Sequence, residues 1–202
     1  MAIELSNQKI FVAGTTGSGK TYFVENKLLK AFKHPLVLTP HTEDYTHVKR
    51  NVLIHYLNPF TTSNLEEFIK NYVKPLAYTG KIDCLIIDES DLIIPKSIIT
   101  LQDNKHIYDM FINHRHWGKK KGNGLALVLI TRRPQEASTV FLEQAHHLFI
   151  FALEGKNVNQ HFSKIHKDFN ILLPQLNHKK HNFIHKEIGK PPEIHGAVNL
   201  NK

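Results

Sequence analysis

The chain has 202 residues, enough for one α/β domain with a substantial core and few for two. Its 41% hydrophobic and 22% charged residues are ordinary globular usage, which argues against fibrous and disordered classes, and the apolar runs 125–130 and 148–153 are too short to cross a bilayer. A formal charge of +8 favours a polyanionic partner, while the single cysteine, Cys84, rules out an internal disulfide and fits a reducing compartment.

In chain order, Lys9 to Ala13 reads as a short buried strand running into glycines. Residues 20–32 carry Tyr22, Phe23, Leu28, Leu29 and Phe32 at spacings that suit a helix. Leu36 to Thr39 is a second strand stopped by Pro40, and Asn64 to Tyr72 an amphipathic helix. Asp83 to Asp88 is another buried strand. The stretch from Leu92 to Asp103, with Pro95 inside it, has no clean period. A helix is expected over residues 104–117, a strand over 124–131, a short helix over 135–144 and a strand over 147–153. Strands alternating with helices imply an α/β fold with a mainly parallel sheet covered on both faces. Residues 1–190 are expected to form one domain, with 191–202 as a C-terminal tail or edge segment.

The residues Gly14-Thr15-Thr16-Gly17-Ser18-Gly19-Lys20-Thr21 match G-x-x-x-x-G-K-[ST] at every fixed position, after a predicted strand and before a predicted helix. Glycines let the backbone turn tightly, so that its N–H groups can cradle phosphates. Lys20 would reach the β- and γ-phosphates of ATP, and Thr21 would offer its hydroxyl to Mg²⁺. At the end of the apolar run Cys84-Leu85-Ile86-Ile87 stands the acid pair Asp88-Glu89. The carboxyl edge of a buried strand is where α/β sheets bind ligands. There Asp88 can hold Mg²⁺ through water opposite Thr21, and Glu89 can polarise an attacking water as general base. Ser90 and Asp91 follow, so the pair could instead cap a helix; the phosphate loop favours the catalytic reading. An acid pair beside phosphates argues for water as the nucleophile, hence hydrolysis. The polar end of the last long strand, Thr131-Arg132-Arg133-Pro134-Gln135, offers Arg132, Arg133 and Gln135 as γ-phosphate sensors, which spacing alone does not rank.

These three elements, GTTGSGKT, CLIIDES and LVLITRRPQE, resemble the FtsK–HerA superfamily of P-loop ATPases, and within it the viral genome-packaging branch. The resemblance runs from about residue 10 to about residue 185 and takes in His114-Arg115-His116-Trp117-Gly118, which looks like the family's arginine-plus-glycine stretch. It implies a RecA-like domain that hydrolyses ATP with Mg²⁺ and translocates double-stranded DNA without regard to sequence, packaging a viral genome. It further implies a homo-oligomeric ring, a hexamer by family habit, in which Arg115 is the finger that completes a neighbour's site. A capsid or portal-type protein would be the docking partner, and the host cytoplasm the expected location. One departure is Arg132, where the family usually has glutamine, which leaves Arg132 and Gln135 as rival sensors. A virion-assembly or export ATPase of the same fold is the alternative, and a P-loop small-molecule kinase, for which no arginine-rich lid is seen, a third.

Candidate DNA contacts are Lys119, Lys120 and Lys121, then Lys96 and Lys105, then Lys179 and Lys180 with His178 and His181 around them. The histidine pairs lack zinc-type spacing with cysteines. His147 and Cys84 read as buried core residues.

Overall fold

A computed structural model describes residues 5–48, 52–58, 60–118, 124–155 and 157–197. The strands are β1 (Lys9–Ala13), β2 (Pro35–Thr39), β3 (Leu53–Tyr56), β4 (Cys84–Ile87), β5 (Ala126–Thr131), β6 (His147–Ile150), β7 (Phe183–Glu187) and β8 (Glu193–His195). The helices are α1 (Lys20–Phe23), which runs on helically to residue 31, α2 (Thr62–Phe68), α3 (Lys74–Tyr78), α4 (Ile98–Asp103), α5 (Lys105–Asn113), α6 (Thr139–Glu143), α7 (Val158–Ser163) and α8 (Phe169–Leu172).

Among the described residues one eight-stranded sheet forms, in the order β3-β2-β4-β5-β1-β6-β7-β8. The strands from β3 to β6 pair in parallel, while β7 joins β6, and β8 joins β7, antiparallel. β1, β4 and β5 are buried along their whole length, which is why they read as unbroken apolar runs rather than alternating ones. Successive residues still serve opposite faces. Phe11, Leu85, Ile87, Leu127 and Leu129 pack toward α2 to α8, while Ile10, Val12, Ile86, Val128 and Ile130 pack toward the helical run that begins with α1. On that second face Phe23 meets Phe149 and Phe183 at ring-centroid distances of 4.8 and 5.2 Å. Each such fully buried side chain stabilises the fold by about 1.5–3 kcal/mol.

The expected strands at 9–13, 36–39, 83–88, 124–131 and 147–153 all have counterparts. The helix expected over 135–144 is shortened to α6. Pro134 opens a separate 3-10 turn, and Ala137 then turns extended, at φ −69° and ψ 157°, before the chain re-enters a helix at Thr139. The aperiodic stretch 92–103 resolves into a turn and then α4. β3, β7 and β8 are strands outside the sequence expectation, and β8 sits at the edge of the sheet within the segment read as tail or edge. Of the basic loop Lys119-Lys120-Lys121, all three residues lie outside the described ones.

Candidate active site

The loop after β1 is tied to the strands on both sides. Gly14 N–H donates to Thr131 O (3.2 Å) at the end of β5, and Thr15 N–H to Ala152 O (3.0 Å) just past β6. A side chain at Gly14 would collide with Ser18 Oγ and lie 2.8 Å from Phe151 Cβ, so only glycine allows the loop to fold back so closely. Gly19 caps α1 at φ 99°, a left-handed conformation that glycine adopts at no steric cost. The first backbone N–H groups of α1, from Gly19 onward, have no partners within the helix, the arrangement in which a helix N-terminus can receive an anion. Lys20 enters the same place from α1 and is 6% exposed. Burial lowers its ammonium below the usual lysine range, opposed by the nearby carboxylates of Asp88 and Glu89.

β4 carries the two acids to this edge. Asp88 is buried, and Tyr45 Oη–H donates to its Oδ2 at 3.0 Å while Glu89 N–H donates to Oδ1 at 2.9 Å. Burial raises the Asp88 carboxyl, and those two donors with Lys20 pull it back. The chain then turns sharply, with Glu89 left-handed at φ 50°, a conformation uncommon outside glycine. Ser90 Oγ–H anchors the turn on Ile130 O at 2.9 Å. Glu89 is likewise raised by burial and then by Asp88, with Arg132 and Lys20 acting against them. Arg132, at the end of β5, sets its Nε 2.6 Å from Glu89 Oε1, and His41 Nε2 stands 3.9 Å from the same oxygen. Thr131 Oγ1–H donates to Asp91 Oδ1 at 2.5 Å and accepts from Arg133 N–H at 2.9 Å, which orders the strand end that carries Arg132.

The loop from Gly14 to Thr21, with its Lys20, therefore meets Asp88, Glu89 and Arg132 at one edge of the sheet. The remaining candidates have other surroundings. Arg133 faces a different depression, shared with Asp91, Lys96 and Glu136. Gln135 lies in the 3-10 turn Pro134–Glu136, with its Oε1 buried and unpartnered. Arg115 is exposed in the 3-10 turn after α5, beside the start of β5, where Leu125 N–H donates to His114 O at 2.9 Å. Thr131, at the site, is six residues further along that strand, roughly 20 Å away at the strand rise. Arg115 is thus at the edge opposite its own phosphate loop. Lys179 and Lys180 belong to a turn beside that loop, since His178 has a ring nitrogen 3.4 Å from Thr15 Oγ1.

Tyr45 and His41 escaped the sequence reading, which placed Asp91 only in a possible helix cap. Tyr45 sits in the polar stretch 40–48, which resembles an exposed loop, and no spacing signals that its ring is 1% exposed with its hydroxyl on Asp88.

Among the described residues no group of three or more His, Cys, Asp or Glu side chains is placed to hold a metal. One buried carboxylate, Asp88, with the hydroxyl of Thr21 at the start of α1, is a hard-oxygen donor set. It fits Mg²⁺, which takes one or two protein oxygens and completes its shell with water and substrate phosphates. No helix among the described residues is long and apolar enough to cross a membrane.

No protein-family model and no curated protein matches the chain. Solved structures do. B204, the DNA-packaging ATPase from Sulfolobus turreted icosahedral virus, aligns with a TM-score of 0.75 over 96% of this chain and 99% of that one, at 18% identity. The genome packaging NTPase B204 from Sulfolobus turreted icosahedral virus 2, in complex with ATP-γS, aligns with a TM-score of 0.73 over 95% and 98%, at 19% identity. The pCW3 conjugation coupling protein TcpA, with ATP-γS, aligns at 0.66 over 98% of this chain and 62% of that one, at 13% identity. These likenesses establish the fold alone: a mostly parallel, helix-flanked sheet shared with these nucleotide-binding proteins.

Proposed function

We propose that the protein is an Mg-ATP-hydrolysing motor that moves double-stranded DNA, and that its task is to package a viral genome. The observation that carries the reading is the convergence of Lys20, Asp88, Glu89 and Arg132 on the loop from Gly14 to Thr21. Lys20 neutralises the β- and γ-phosphates. Bound Mg²⁺, held through Asp88 and Thr21, would offset charge building on the phosphate oxygens. Glu89 orients and deprotonates the attacking water, a contribution worth about 10²–10⁴ in rate. Arg132 is our choice over Gln135 for the γ-phosphate sensor, because its guanidinium lies within reach of the base it must serve. A terminal phosphate between the two would draw Arg132 by its greater charge and free the carboxylate to take a proton.

The +8 net charge supports a polyanion as cargo. Lys96 and Lys105 flank the segment that leaves the catalytic acids, and with Lys119 to Lys121 they are the contacts we favour for a backbone-tracking motor. The B204 proteins are described as genome-packaging enzymes, which directs the cargo reading toward a viral genome and the partner toward a capsid or portal. A ring, by family resemblance a hexamer, gives Arg115 a site to act on, because it faces away from its own. Leu92, Ile98 and Ile99, exposed in the segment after the acids, are apolar surface that a neighbour in such a ring would cover.

The test is hydrolysis by mixtures. Arg115→Ala and Glu89→Gln should each bind ATP and turn it over poorly. Mixed rings contain interfaces with both groups intact, so mixing should restore part of the activity. A mixture that forms rings yet stays as inactive as its components would remove Arg115 from the mechanism.

A further inference from the structure

The nucleotide's sugar and base need a wall that the residues named so far do not supply. Glu89 and Arg132 stand at the ends of β4 and β5, so they fix the terminal phosphate on that flank of β1. A triphosphate lying along the loop then runs away from them, and its sugar and base leave toward the other flank, where β6 and β7 lie. Among the described residues, the turn 177–182 that leads into β7 lies there against the phosphate loop, beside the segment that follows β6.

That turn is closed on itself. Asn177 N–H donates to Asn182 Oδ1 at 2.8 Å, Asn182 Nδ2–H to Gln175 O at 3.1 Å, Lys179 N–H to Asn177 Oδ1 at 2.8 Å and His181 N–H to Asn177 O at 3.0 Å. It sets two imidazoles against the phosphate loop. The His178 ring lies 3.4 Å from Thr15 Oγ1 and 3.5 Å from Glu154 Oε1. His181, left-handed at φ 46°, packs so closely on Gly19 that a Cβ there would come within 3.2 Å of its Nδ1. That Nδ1 is buried and has no hydrogen-bond partner. The ring is thus held by its backbone directly against the loop, beside the start of α1.

We propose that the turn 177–182 is the wall for the sugar and base of the bound nucleotide, with His178 and His181 as the contacting groups. An imidazole offers a flat face on which a base can stack and ring nitrogens for a ribose hydroxyl. The proposal rests on the nucleotide-binding reading of the phosphate loop. It assigns to these histidines affinity for the nucleoside part, distinct from affinity for phosphate.

The experiment titrates the full chain, in Mg²⁺, with ATP and separately with inorganic tripolyphosphate. Wild type, Lys20→Ala, His178→Ala, His181→Ala and the double histidine variant are compared. The expected result is that the double variant binds ATP at least about tenfold more weakly while its tripolyphosphate affinity stays within about twofold of wild type. Retained tripolyphosphate binding also shows that the loop is still folded. Unchanged ATP affinity in the double variant would overturn the proposal, and so would equal weakening toward both ligands, which would make the turn a brace for the loop. A wild type that binds neither ligand, or a Lys20→Ala variant that binds both as wild type does, would instead remove the nucleotide reading itself and this wall with it.

Discussion

Arg132 Nε lies 2.6 Å from Glu89 Oε1, so the end of β5 holds the carboxylate that the end of β4 presents. Arg132→Ala should therefore act on two counts, leaving Glu89 unaligned and the terminal phosphate without its cation. Single-turnover hydrolysis should fall by about 10²–10³, as when one donor to a developing charge is removed, with ATP affinity changed only a few-fold. Arg132→Lys should recover little, because an ammonium lacks the planar fork. Combined with Glu89→Gln, the loss should be well short of the sum, since both act on one step. Near-normal turnover in Arg132→Ala would return the sensor role to Gln135.

Tyr45 donates its hydroxyl to Asp88 in a buried setting, and both burial and the Asp88 charge push the phenol well above its ordinary range. Tyr45→Phe keeps the ring and removes the donor. It should cost about 1–3 kcal/mol in urea-induced unfolding, the usual penalty for leaving a buried acceptor unpaired. It should also weaken Mg²⁺-dependent ATP binding, because Asp88 loses one of the two donors that orient it. Unfolding and binding both unchanged would show that the hydroxyl does not set the acid.

Much of the sheet and of the candidate site is legible in the sequence, for identifiable reasons. β1, β4 and β5 are buried on both faces, so their apolar runs stand out, and the glycines and acids that follow them have narrow chemical uses. β3 was not legible: Leu-Ile-His-Tyr is an edge strand with Leu53 half exposed, and its sequence resembles a surface loop. β7 and β8 mix Phe183 and Ile184 with histidines and charges, and they are ordered by pairing with β6 rather than by local pattern. Tyr45 meets Asp88, and the turn 177–182 meets Thr15, only through contacts made across more than forty residues of chain. No local period encodes such contacts.

His114 gives a test of the opposite edge of the sheet. It is 2% exposed, with Nδ1 2.6 Å from Leu125 O, and burial above all, then the charges of Lys9, His146 and Arg115, lower it from 6.5 to about 4. A base whose folded value is depressed is neutral in the fold and protonates first in the unfolded chain. Its contribution is therefore complete above pH 6.5 and is lost as pH falls from 6.5 toward 4, by on the order of 3 kcal/mol. His185, also lowered to about 4, adds a drop of the same sign. Urea midpoints should fall across that window, and His114→Leu should show a shallower fall. A midpoint independent of pH between 6.5 and 4 would contradict the buried neutral assignment.

Every proposed role of these residues requires that ATP be hydrolysed at the loop from Gly14 to Thr21 in work coupled to DNA. The direct measurement is steady-state phosphate release by wild type and Lys20→Ala at equal concentrations, with and without duplex DNA of arbitrary sequence. Wild-type turnover should rise with DNA and with protein concentration, and Lys20→Ala should show none above background under any condition. Wild-type rates in Lys20→Ala, or no turnover by the wild type with DNA present, would show that this requirement is not met.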